Sequence, residues 1–202
     1  MLIKMPKIII IEDHPIMCQG LADYFSGTNN WKVNGIASSL SDAKKLLAKT
    51  TADIILLDIQ LDDGWGLDII SWLQDQPGMQ MPVIAVYSTF DDYAHVSAAL
   101  CLGVKAYITK RRSGKELENA LLTTLSGINY IDEAAQVKLK NVNDILSLLN
   151  KRESEVLTLV KDGHSNAQMA DELCLSRRTV ENILSCIYTK TGIKSRFELE
   201  RL

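Results

Sequence analysis

Hydrophobic residues fall into two rhythms along this chain. Up to about residue 125 they come in short unbroken runs, Ile8 to Ile11, Ile54 to Leu57, Val83 to Val86 and Ala106 to Ile108, separated by amphipathic stretches. Such runs mark strands buried on both faces, as in a parallel sheet. The pattern predicts strands near 7–12, 31–36, 53–58, 82–87 and 105–109, alternating with helices near 15–26, 40–49, 66–75, 91–102 and 114–125. Pro15 suits a first helical position, and Ser113 with Glu116 makes a capping box. Alternating units of this length imply a doubly wound five-stranded parallel sheet with helices on both faces.

The period changes after Gly127. Residues 128–149 are mixed, with amphipathic pieces around Glu133 to Leu139 and Ile145 to Leu149, and read as a partly helical linker. From Lys151 onward the spacing is helical throughout, with helices expected at 151–162, 166–173, 177–190 and 195–201. Gly163 suits a helix stop, and Ser165 with Gln168 repeats the capping box. The expected division is a first domain over 1–125, a linker over 126–149 and an all-α domain over 150–202.

Composition is that of an ordinary globular protein, and no apolar stretch is long enough to span a bilayer. No signal-peptide pattern opens the chain, so a cytoplasmic location without membrane association is expected. Cys18, Cys101, Cys174 and Cys186 lie far apart, and are expected to be reduced, mostly buried thiols rather than a disulfide frame. The net charge of −3 is carried by the first 125 residues, while the last third is slightly basic. That asymmetry permits nucleic-acid binding.

Chemistry collects where the apolar runs end. Glu12 and Asp13 close the first, Asp58 the third strand, Ser88 follows the fourth and Lys110 the fifth. Ligands of open α/β sheets gather at the carboxyl ends of strands, so these groups should converge on one edge. Asp53 opens its strand at the other end and is left out. Glu12, Asp13 and Asp58 would repel one another unless a cation sat among them, and hard oxygen donors in an open site suit Mg²⁺. A metal-bound Asp58 can act as a nucleophile toward a phosphoryl group, with Lys110 and the Ser88 hydroxyl stabilising the charge on the transferred oxygens. His14 reads as a turn or helix-cap residue, since a lone histidine without a poised partner is not a general base.

Glu12-Asp13-His14-Pro15, Asp58-Ile59-Gln60-Leu61, Gly66, Ser88, Tyr107 and Lys110 together resemble a response-regulator receiver domain, a flavodoxin-like fold that accepts phosphate from a histidine kinase. The resemblance implies Asp58 as phosphoacceptor, and Mg²⁺ held by Glu12, Asp13, Asp58 and the backbone carbonyl of Gln60. It also implies Ser88 and Tyr107 as a switch pair, the hydroxyl turning to the phosphate while the ring moves inward. The family usually has Pro at Asp62 and often at Arg111. Asp62, beside Asp63, is expected to add negative charge next to the pocket.

The tail carries a second resemblance. Arg152-Glu153, Glu155-Val156-Leu157, Gly163, Ser165-Asn166, Ala170, Leu173, Ser176, Thr179-Val180, Asn182, Lys190 and Ser195-Arg196 are similar to the LuxR-type helix-turn-helix. With the receiver, the whole chain resembles a NarL/FixJ-family response regulator, which implies control of transcription, binding to double-stranded promoter DNA and a homodimer once phosphorylated. On the last long helix Val180, Ile183, Leu184, Ile187 and Tyr188 share one face, and Arg178, Glu181, Asn182, Ser185 and Thr189 the other, as a helix in a major groove requires. Arg177, Arg178, Glu181, Asn182, Ser185 and Lys190 are the expected DNA contacts, with Ile183 assigned to the core. The family commonly has a basic residue at Glu181, His at Ile183 and Leu at Thr191, so fewer positive groups face DNA here.

Other classes compete with this reading. A receiver acting through protein contacts or independently of phosphate, with weak or lost DNA binding, is the alternative. A haloacid-dehalogenase-like hydrolase would need a second Asp two residues after the nucleophile, where Gln60 stands, so the chain is not expected to be an enzyme. A ligand-sensing LuxR protein would carry a small-molecule pocket in place of the receiver residues.

Overall fold

The computed structural model describes residues 5–193 and 195–200. The chain divides into two compact units, one running up to Asp91 with His95–Ala135, the other Asp92–Ala94 with Gln136 onward, and each is taken in turn.

The first unit alternates strand and helix. Its elements are β1 (Lys7–Ile11), α1 (Pro15–Gly27), β2 (Lys32–Ala37), α2 (Leu40–Leu47), β3 (Ile54–Leu57), β4 (Gln60–Leu61), β5 (Gly64–Trp65), α3 (Asp68–Gln74), β6 (Val83–Ser88), α4 (Tyr93–Cys101), β7 (Ala106–Thr109), α5 (Gly114–Leu125) and β8 (Tyr130–Ile131). The main sheet has the order β2-β1-β3-β6-β7-β8, parallel at every pairing. β1 and β3 are neighbours inside the sheet, Ile11 opposite Leu57, so the residues that follow them emerge together at one edge.

Strand alternation then sorts the apolar runs between two faces. Ile8, Ile10, Ile54 and Leu56 pack with Leu21 and Phe25 of α1 and Leu117 and Leu121 of α5 in one core. Ile9, Ile11, Ile55 and Leu57 point the other way and are equally buried. The expectation of five strands needs correcting, because β8 adds a sixth. It is two residues long, pairs Tyr130 with Ala106, and follows a turn at Gly127 in the left-handed region (φ 94°). A two-residue strand carries no readable period. The Asp132 carboxylate, next in sequence, holds it by accepting hydrogen bonds from Thr109 N–H (2.8 Å) and Thr109 Oγ1 (2.6 Å). β4 and β5 form a separate hairpin directly after Asp58.

The second unit is helical, with α6 (Glu133–Ser147), which begins in the first unit, then α7 (Lys151–Lys161), α8 (Asn166–Glu172), α9 (Arg177–Thr191) and α10 (Arg196–Leu199). The end expected for the last helix, residue 201, lies outside the described residues. α6 is one helix where two amphipathic pieces are expected, and its Val142 and Leu146 pack on the core built by Val156, Val160, Met169, Val180, Leu184 and Ile187. Capping boxes start α5 and α8 as the sequence suggests, and Asn150 with Glu153 starts α7 with another. Arg152 donates to the carbonyl of Leu173 at the end of α8 (2.7 Å), fixing the turn into α9.

The cysteines depart from expectation. Cys101, Cys174 and Cys186 are exposed and Cys18 is half-buried. Cys186 sits on the polar face of α9, and Cys174 occupies the turn after α8 with a φ of 53°. Burial is frequent for cysteine, but here the positions are set by the polar side of a helix and by a tight turn.

Candidate functional site

Five of the expected groups meet at the carboxyl edge of the sheet. The Lys110 ammonium reaches back to donate to Asp58 Oδ2 and Glu12 Oε2, each at 2.7 Å. Its backbone N–H donates to the Ser88 carbonyl at 2.8 Å, which ties the lysine to the end of β6. Burial works against the ammonium, but its hydrogen bonds to Asp58 and Glu12 and their charges outweigh it, so the Lys110 pKa stands above the ordinary lysine value. Asp58 Oδ1 accepts the N–H of Gln60, the residue that opens β4 (3.3 Å). Glu12 and Asp58 are buried.

Asp13 completes a cluster with Glu12, His14 and Asp58 in which one donor atom from each lies within 4.8 Å of the others. His14 Nδ1 is 3.0 Å from Glu12 Oε1 and 3.0 Å from Asp13 Oδ1. A ring nitrogen carries at most one proton, which can be well aligned to only one of two such oxygens. The bond goes to Glu12, leaving Asp13 Oδ1 buried without a donor. His14 does occupy the N-cap position of α1, yet its ring makes no cap bond and turns to the acids instead.

Gly66 gives the site its backbone. A Cβ there would lie 1.9 Å from the Asp58 carbonyl oxygen, and its N–H donates to the Ile59 carbonyl at 2.6 Å. Only a residue without a side chain allows the hairpin to close this tightly over the phosphoacceptor candidate. The neighbouring acid Asp63 turns away from the pocket. Its carboxylate accepts the N–H groups of Leu40 (2.8 Å) and Ser41 (3.2 Å) at the start of α2, which lowers its pKa. Asp62 is exposed.

Ser88 and Tyr107 are both fully buried, and both bond the main chain of the same residue, Phe90. Ser88 Oγ accepts the Phe90 N–H at 3.3 Å, and the Tyr107 hydroxyl donates to the Phe90 carbonyl at 2.9 Å. The ring of Phe90 stacks on His95 of α4, at 4.2 Å between centroids and 1° between planes. Sequence reasoning missed Phe90, since a main-chain link leaves no trace in residue type.

On α9, Arg177, Arg178, Glu181, Asn182, Ser185 and Lys190 are all exposed, while Val180, Leu184 and Ile187 are buried and Ile183 packs on the same core. Lys190 is committed elsewhere: its ammonium lies 2.7 Å from Glu153 Oε2, a buried carboxylate of α7. This pair spans thirty-seven residues and was not legible in the sequence.

Residues 8–122 match the response regulator receiver domain family, and residues 147–202 match the luxR family of bacterial regulatory proteins. The chain is 29% identical to the DNA-binding transcriptional activator DevR/DosR of Mycobacterium tuberculosis, over 95% of this chain and 91% of that one. It is also 29% identical to the oxygen regulatory protein NreC of Staphylococcus aureus, over 96% and 94%. Among solved structures, RcsB dimers bound to two parallel DNAs superpose with a TM-score of 0.72 at 22% identity, covering 96% of each chain. RcsB of Salmonella enterica bound to a promoter with the phosphomimetic BeF3⁻ gives 0.71 at 23%, again over 96% of each. At these identities the RcsB likeness establishes the fold.

Proposed function

The chain belongs to the response regulators that join a receiver domain to a luxR-type C-terminal segment, and from that membership we propose a phosphorylation-controlled transcription regulator. A histidine kinase would supply the phosphoryl group, Asp58 would accept it, and α9 would read promoter DNA. One observation supports the chemistry above the rest: a buried lysine clamps Asp58 and Glu12 at 2.7 Å while Asp13 keeps a buried oxygen without a donor. That set of oxygens fits a divalent cation, with Glu12, Asp13, Asp58 and the Gln60 carbonyl as its holders. When bound, Mg²⁺ would neutralise the acids and polarise the phosphoryl oxygens.

The chain's own groups account for the rest. The Asp58 carboxylate attacks phosphorus, the P–N bond to the kinase histidine breaks as the P–O bond forms, and the imidazole keeps the electron pair. Lys110 follows the charge from carboxylate to phosphoryl oxygen. The Ser88 hydroxyl leaves the Phe90 N–H to donate to that oxygen. That releases one of the main-chain bonds that hold the loop into α4, while the Tyr107 hydroxyl still binds the Phe90 carbonyl. The relatives' printed roles as a DNA-binding activator and an oxygen regulatory protein, and the DNA-bound RcsB dimers, support output through DNA as a homodimer.

A second reading, a receiver acting through protein contacts with weak DNA binding, draws on the Lys190–Glu153 pair, which takes one positive group from the reading helix. Two measurements separate the readings. Acetyl phosphate with Mg²⁺ is expected to add one acid-labile phosphoryl mass to the intact protein, and Asp58→Asn to abolish it. Gel shift on DNA upstream of the chain's own operon is expected to strengthen with phosphorylation. An unchanged mass sinks the phosphoacceptor assignment, and a phosphorylated protein without a shift sinks the DNA output.

A further inference from the structure

We propose that Asp132 is a positioning residue of the Asp58 site: its carboxylate grips both ends of the turn that carries Lys110, and so sets where the ammonium meets Asp58 and Glu12. The proposal rests on the reading of Asp58 and Lys110 as the phosphoryl-accepting pair given above. Three features carry it. First, β8 is too short to finish the sheet beside β7. Its side of the ladder ends with the Asp132 N–H on the Tyr107 carbonyl at 2.9 Å, before Thr109 is reached. The Lys110 N–H faces β6, where it donates to Ser88, so the N–H of Thr109 faces the other way and is met by a side chain, Asp132 Oδ2 at 2.8 Å. Secondly, the same oxygen takes the Thr109 hydroxyl at 2.6 Å, while Oδ1 takes Arg112 Nε at 2.8 Å and the Tyr130 hydroxyl at 3.1 Å. The Arg112 N–H closes the turn on the Thr109 carbonyl at 3.1 Å, with Lys110 inside it. Thirdly, Asp132 and Thr109 are both buried, so water does not stand in for these bonds.

A lysine ammonium sits on a flexible four-carbon stem, and its tip is aimed only as well as its root is held. The root of Lys110 is held from both sides of β7: by β6 through the Ser88 carbonyl, and by Asp132 through Thr109. Without the carboxylate the turn is anchored on the β6 side alone, and the ammonium loses the fixed root from which it reaches Asp58 Oδ2 and Glu12 Oε2. Asp132 touches no reacting atom and acts only through Lys110.

Two readouts on the full chain test this. The Lys110 ammonium, held by two buried carboxylates, is expected to give an observable ¹⁵N–¹H signal, identified by its loss in Lys110→Arg. The rate of phosphorylation by acetyl phosphate with Mg²⁺ is read by intact mass. In Asp132→Ala the signal should shift or vanish, and the rate should fall by about ten- to a hundredfold, the scale of up to an ångström of misplacement. Asp132→Asn keeps an acceptor for Thr109 and should recover most of both. Thr109→Val removes the hydroxyl bond alone, and should move the signal the same way with a smaller loss of rate. Leu73→Ala, a buried truncation in α3, is the control for lost stability and should leave the signal in place. A wild-type signal in Asp132→Ala overturns the proposal, and an unmoved signal in Thr109→Val does so even where Asp132→Ala fails to fold. So does a rate in Asp132→Ala no lower than that of Leu73→Ala, or an Asp132→Asn no better than Asp132→Ala. The ammonium signal needs no phosphate, so a wild type that gains no mass removes the phosphoacceptor reading, while the signal still decides whether Asp132 places Lys110.

Discussion

Asp132→Ala tests how the end of the sheet supports the pocket. The carboxylate is 1% exposed and accepts four hydrogen bonds: two from Thr109, one from Arg112 Nε at 2.8 Å and one from the Tyr130 hydroxyl at 3.1 Å. Removing it strands the Thr109 N–H in a residue only 3% exposed, and a buried donor left unpaired costs about 1–3 kcal/mol. Arg112 is partly exposed and can turn to water, so its loss adds no more than about 1 kcal/mol. The expected penalty is about 1–4 kcal/mol at pH 7. Burial alone would raise the Asp132 pKa, but the bonds from Thr109, Arg112 and Tyr130 outweigh it and hold it below the ordinary value. A depressed folded pKa stabilises fully above the unfolded value, about 3.9, and the benefit disappears as pH falls through the folded value. The gap between wild type and variant should thus be flat from neutral pH to about 5 and close below about 4. Trp31, Trp65 and Trp72 all lie in the first unit, so tryptophan fluorescence in urea reports that unit alone. A gap under about 0.5 kcal/mol at pH 7, the range of ordinary surface changes, would refute the argument. So would a gap that widens on acidification.

Two further changes follow from the geometry. Gly66→Ala forces the main chain away from the Asp58 carbonyl, and should destabilise the first unit by about 1–3 kcal/mol in the same urea assay and slow phosphorylation by acetyl phosphate in a mass time course. Unaltered stability and rate would mean that the hairpin does not need its close approach. Glu181→Lys replaces an exposed negative group on α9 with a positive one, and should tighten binding to all DNA sequences and steepen the salt dependence by up to about one unit of slope. Binding isotherms at several salt concentrations that superpose with those of wild type would show that α9 does not lie against DNA.

The parts of this molecule that were legible in the sequence are those fixed by adjacency and period. Four apolar runs announced the parallel strands, and a group at the end of a buried strand has only one edge to reach, so the strand pattern alone brings Glu12, Asp58 and Lys110 together. The polar face of α9 followed from its helical spacing in the same way. What stayed hidden depends on partners chosen by tertiary packing. Asp132 follows a turn in a stretch with no readable period, and only the pairing of β8 with β7 brings it to Thr109. Lys190 looked like a free cation at the end of a DNA-facing helix, yet the packing of α7 on α9 hands it to Glu153. His14 is the instructive case. Its position at the helix start was readable, but the direction of its ring was not, because a cap residue can bond the helix or turn back over the preceding strand. The structure shows the second choice: three carboxylates against one lysine leave the pocket acidic, and the ring nitrogen lies 3.0 Å from an oxygen of Glu12 and 3.0 Å from one of Asp13 instead of bonding the helix end.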